Sequence, residues 1–102
     1  MTDFQNKVTL PKVSHLSDMQ LEETLKLCVA KEMEMKIQIL HLLAEVENRR
    51  LYSHTYPSLF EYCVKVLKYS AGSAQRRIDT MRAMKLMPEI ETKIQTGELQ
   101  MA

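Results

Sequence analysis

The chain is poor in the residues that build sheets and tight loops. It has two glycines, three prolines and no tryptophan in 102 residues, too little turn chemistry for a multi-stranded sheet and a composition suited to helices. Two cysteines, Cys28 and Cys63, are too few for a disulfide scaffold and too isolated for a metal site. No uninterrupted apolar run approaches the length of a membrane span; the longest, Ile39-Leu40 and Leu42-Leu43-Ala44, is broken by His41. Asp3, Gln5 and Asn6 stand where a secretory leader would be apolar. What is present is 45% apolar and 26% charged residues, the balance of a folded chain rather than a disordered one. These features predict a cytoplasmic, all-α protein. Residues 1–16 form an amino-terminal arm, and residues 17–102 form a single domain.

The net charge of +1 conceals an asymmetry. Residues 1–48 carry five lysines against eight acids, residues 49–87 eight Lys/Arg against Glu61 and Asp79, and residues 88–102 Lys93 against three glutamates. A basic middle between acidic ends supplies sequence-independent attraction for phosphates. The plain alternative is that these charges only solvate helix faces.

Ser17-Asp18-Met19-Gln20 is a capping box that opens a long helix over residues 18–51. Such a helix would run about 50 Å, and either one helix or two broken near residues 30–34 satisfies the pattern. One apolar stripe runs through Leu21, Leu25, Cys28, Met35, Ile39, Leu42 and Val46 at near-heptad spacing. A second, through Val29, Met33, Ile37, Leu40 and Leu43, widens the face beyond a coiled-coil seam. Tyr56-Pro57 ends the helix by residues 52–55.

Ser58-Leu59-Phe60-Glu61 then caps a short helix to about Lys68 with Leu59, Phe60, Cys63, Val66 and Leu67 inward. A turn of two or three residues leads to Ser70, which caps a helix from Ala71 to about Met87. That helix is expected to bury Ala71, Ala74, Ile78, Met81 and the stem of Lys85. Pro88 opens a last short helix that Gly97 closes.

The pair at 58–87 is a helix-turn-helix-like segment, whose second helix would enter the major groove of duplex DNA. Arginine bonds guanine bidentately and glutamine does the same to adenine. On the basic helix 71–87, Ser73, Gln75, Arg76, Arg77 and Thr80 are therefore the expected base or groove contacts. Arg49, Arg50, Lys65 and Lys68 are expected to contact phosphates, which position without specifying. The alternative is an interaction or dimerisation module that uses the long helix, or the Met87 face, to hold a helical protein partner or a second copy. Met33, Met35, Met81, Met84 and Met87 would give it an adaptable apolar surface, although methionines at such spacing serve equally as core.

Catalysis finds no support in the residues. His15, His41 and His54 lie in different segments without a ligand at i+3 or i+4. Glu32/Glu34 and Glu45/Glu47 are spaced to different helix faces, and no glycine-rich phosphate loop occurs. We expect no catalytic residues, no metal site, no cofactor and no membrane partner.

From Arg49-Arg50-Leu51-Tyr52 through Tyr56-Pro57-Ser58-Leu59-Phe60-Glu61-Tyr62-Cys63, and on through Ser70-Ala71-Gly72-Ser73-Ala74-Gln75-Arg76-Arg77-Ile78, Met87-Pro88-Glu89 and Thr96-Gly97-Glu98-Leu99, the sequence resembles a known module. It is the helical N-terminal module found ahead of the nuclease domain in a group of bacterial HNH endonucleases. The resemblance spans about residues 16–99 and implies a part in engaging DNA, with cleavage left to a separate metal-binding domain. The chain reaches Ala102 without that domain's paired histidines and asparagine, so the resemblance implies no cleavage here. A regulator that competes with full-length relatives for a site is a further reading consistent with that difference. Lys68 stands where the family often places a glycine between the two helices.

Overall fold

The computed structural model describes residues 12–97. It is all-helical: a 3-10 turn at Val13–His15 is followed by α1 (Asp18–Arg49), α2 (Leu59–Lys65), α3 (Ala71–Leu86) and α4 (Glu89–Gln95). No helix among the described residues is long and apolar enough to cross a membrane. Residues 1–11 of the expected arm lie outside the described residues; of the remainder, only Leu16 is even partly covered.

The chain divides into two units, residues 1–32 and 33–102. In the first, Ser17 caps α1 as the sequence predicts: its Oγ accepts from the Gln20 N–H at 3.2 Å, and its N–H donates to Gln20 Oε1 at 3.0 Å. Leu21, Leu25 and Val29 are exposed. So is Cys28, which is therefore not the core residue its apolar neighbours suggest.

In the second unit, Ile37, Leu40 and Leu43 of α1 are buried with Leu59 and Cys63 of α2, Ala74, Ile78, Met81 and Met84 of α3, and Ile94 of α4. Ile37, Leu40 and Leu43 of the second apolar stripe thus enter the core, with Ile39 and Val46 of the first packed partly buried against it, while Met35 and Leu42 of the first stay exposed. Burial pushes the Cys63 thiol upward, against the nearby charge of Arg77, so Cys63 is a neutral packing residue.

Helix α1 stops at Arg49, before the Tyr56-Pro57 step is reached. Arg50 takes a left-handed φ of 53°, the Arg50 N–H donates to Glu47 O and the Leu51 N–H to Val46 O, both at 3.1 Å. These two bonds satisfy carbonyls that a helix end leaves unpaired.

Ser58 and Ser70 cap α2 and α3, accepting from the Glu61 and Ser73 N–H groups at 3.1 and 3.2 Å. The link between these helices is residues 66–70, longer than the sequence suggests, because α2 already ends at Lys65. The Leu67 and Tyr69 N–H groups reach back to Tyr62 O and Cys63 O at 3.3 and 3.1 Å. This wide return lifts Val66 and Leu67 out to the surface, where inward positions were expected. Ala71 is also exposed, since it lies in the first turn of α3 before the helix meets the core at Ala74. Among the methionines, Met81 and Met84 are core, Met33 is half-buried, and Met35 and Met87 are exposed. Pro88 precedes α4 and Gly97, at a φ of 86°, closes it.

Candidate nucleic-acid interface

The α2–turn–α3 segment turns on one residue with an unusual backbone. Lys68 has a φ of 68°, a conformation that costs a side-chain-bearing residue about 1 kcal/mol or more and that glycine adopts freely. With Lys68 in that shape, Tyr69 swings its ring under α3, where the Arg77 guanidinium lies 4.4 Å from the ring centroid. Arg77 also donates to Ser73 O at 3.3 Å and to the Ser73 hydroxyl. Half-buried Arg77 thus ties the turn to the first two turns of its helix.

The other expected contacts lie on the same stretch of α3. Gln75 Nε2 donates to Asp79 Oδ1 at 2.9 Å, and Thr80 Oγ1 donates to Arg76 O at 2.8 Å. Gln75 and Arg76 are exposed, whereas Ser73 and Thr80 are half-buried. Lys65 and Lys68 are exposed, and neither forms an ion pair with any carboxylate among the described residues. Arg50 is exposed, its guanidinium 5.9 Å from the Tyr52 ring centroid. Arg49 is exposed, its Nε donating to Glu45 Oε2 at 2.8 Å. That bond and the charge behind it hold the Glu45 carboxyl below the usual carboxylate range.

The far end of α3 is electrostatically different. Arg82 donates through Nε and Nη2 to Glu47 Oε2 at 2.9 and 2.7 Å. Lys85 Nζ donates to Glu47 Oε1 at 2.8 Å and to Asn48 Oδ1 at 2.9 Å. Burial opposes ionisation of Glu47, but hydrogen bonds from Lys85 and Arg82, with both their charges, hold its carboxyl below the ordinary range. Three of the basic residues in the middle segment, Arg49, Arg82 and Lys85, are therefore answered from within the fold. A further link between α1 and α4 joins His41 Nε2 and Glu91 Oε1 at 2.8 Å.

Two participants escape a reading by residue type. Tyr69 has a faint signal, an aromatic just before the Ser70 cap, but its stacking depends on the backbone at Lys68. Glu47 has none, since its partners lie 35 and 38 residues away. No group of three or more His, Cys, Asp or Glu side chains among the described residues could hold a metal ion. Chemically, the arrangement offers exposed Gln75 and Arg76 with half-buried Ser73, Arg77 and Thr80 on the same helix, residue types that bind phosphates and base edges. No family model, curated protein or solved structure matches this chain.

Proposed function

We propose that this chain is a non-catalytic, cytoplasmic DNA-binding module that meets duplex DNA with the turn before α3 and the first half of that helix. One observation carries the reading: the cations of the segment are not all answered internally. Lys65 and Lys68 have no carboxylate partner among the described residues, while Arg82 and Lys85 are taken by Glu47. Uncompensated positive charge beside an exposed helix is the electrostatic footprint of nucleic-acid binding. Lys65, Lys68, Arg49 and Arg50 would meet phosphates. Gln75 and Arg76 would meet base edges, and Arg77, held by Tyr69 and Ser73, would steady the turn beside them. The resemblance to the modules ahead of HNH nuclease domains agrees with this reading.

Fluorescence anisotropy of a labelled mixed-sequence duplex tests it. The expected result is saturable binding that weakens steeply as salt rises; absence of binding at low salt would refute it. The alternative of a helix-receiving module is favoured by exposed Leu86 and Met87, at 83% and 49% of their free surface. An apolar interface of that kind would not weaken with salt.

A further inference from the structure

Within the unit 33–102, an apolar hollow of about 270 Å³ adjoins the link between α2 and α3. Ile39, Leu42 and Val46 of α1 line one side of it, and Tyr62 of α2 with Leu67 and Tyr69 of the link line the other. The hollow is open to solvent, since Leu42 is 59% and Leu67 39% exposed. Its volume falls short of the pockets of about 300–1,000 Å³ that enclose small molecules. A partner that lies across it would cover Leu42 and Leu67 together.

Both aromatic rings of the lining are held in place. Tyr62 meets Tyr56 edge-on with centroids 6.3 Å apart, and the Arg77 guanidinium lies over Tyr69. Between Leu67 and Tyr69 the backbone passes through left-handed Lys68, and strain of that kind gathers at sites that receive a ligand or partner. The lining itself contains no ionised side chain, but its edge does. Lys68 stands between two lining residues, Lys65 follows Tyr62 by one helical turn, and Arg77 covers Tyr69. None of these three cations pairs with a carboxylate among the described residues. On α1, Glu45 lies one turn beyond Leu42 and is already paired with Arg49.

We propose that this hollow receives an acidic amphipathic helix of another protein. From Ile39 to Val46 the α1 side runs roughly 10 Å, two helical turns, which matches apolar anchors of an incoming helix at i, i+4 and i+7. Carboxylates on the flank of that helix nearest the link meet Lys65 and Lys68, and this complementarity selects the occupant. A basic helix would set like charges together, and a second copy would bring three more cations to an edge that already has three. Ring walls that are fixed before binding lower the cost of ordering them. The proposal does not depend on duplex binding, and its test contains no DNA.

The probe is a labelled, hydrocarbon-stapled helical peptide with leucine at i, i+4 and i+7 and glutamate along one flank. A second peptide carries lysine in place of each glutamate. In fluorescence anisotropy with the full chain the acidic peptide should bind saturably, and the basic one about tenfold more weakly or worse. Leu42→Gln, a neutral change at an exposed position, should weaken the acidic peptide by about tenfold with helical circular dichroism unchanged. Lys65→Glu with Lys68→Glu should reverse the order of the two peptides, which a loss of folding would not do. No binding of the acidic peptide, or equal binding of both, overturns the proposal. Binding that survives Leu42→Gln overturns it as attraction to the lysines alone. A wild-type chain that self-associates in sedimentation equilibrium, and turns monomeric on Leu42→Gln, gives the hollow to a second copy and overturns it too.

Discussion

The two halves of α3 are built from similar residues and behave differently. Its second half carries Arg82 and Lys85, and Glu47 of α1 draws both into a three-residue ion pair. Its first half carries Arg77 behind the exposed Lys68, and to Arg77 the fold supplies a tyrosine face and a serine. A cation stacked on an aromatic ring keeps its charge, whereas one facing a carboxylate is neutralised for any distant phosphate. The count of basic residues therefore overstates the charge available to a partner; what matters is where the acids lie.

The contrast can be broken at its strongest point by Arg77→Leu. Loss of the stack and of the Ser73 bonds should lower stability by about 1–2 kcal/mol. The control is Arg82→Leu, which loses only a half-exposed ion pair and should cost about 1 kcal/mol or less. Chemical denaturation of the two variants checks the order, and equal losses would deny Arg77 its structural part.

A subtler change sharpens the same contrast. Glu47→Gln should lower stability by about 1 kcal/mol and release Arg82 and Lys85, so duplex binding should strengthen and depend more steeply on salt. The wild-type pH profile follows from the same group. Because the folded carboxyl of Glu47 sits below its unfolded value, its contribution is complete above the ordinary carboxylate range. It is lost as pH falls through the folded value. Acid titration of thermal stability should show this loss for wild type and a smaller one for Glu47→Gln.

The smallest expected effect is at Lys68. Lys68→Gly removes left-handed strain and should raise stability by about 0.5–1 kcal/mol, while removing one cation and weakening duplex binding. A gain in stability with unchanged affinity would take Lys68 out of the interface.

How much of this was legible in the sequence depends on distance along the chain. The three serine caps, Ser17, Ser58 and Ser70, and the stop at Pro88 are local chemistry, and the helices begin and end close to where those residues place them. Which members of the two stripes of α1 enter the core was not legible, because both are apolar and, from residue 33 onward, the position of α2, α3 and α4 decides that Ile37, Leu40 and Leu43 are covered while Met35 and Leu42 are not. The length of the 66–70 link escaped for a related reason: Val66 and Leu67 look like core by spacing, and the wide backbone return at Tyr62 and Cys63 carries them outward. At the candidate interface the residue types were readable, but their states were not. Glu47 meets its partners across 35 and 38 residues, and the Tyr69–Arg77 stack rests on a backbone angle that a lysine does not announce.

The most direct test compares the salt dependence of duplex binding for the wild-type chain and for a variant with Lys65, Lys68 and Arg76 replaced by alanine. All three side chains are exposed, so the fold should persist. The logarithmic salt slope should shrink by about 0.9 for each phosphate contact removed, with affinity falling accordingly. An unchanged slope and affinity in the triple variant would contradict the account.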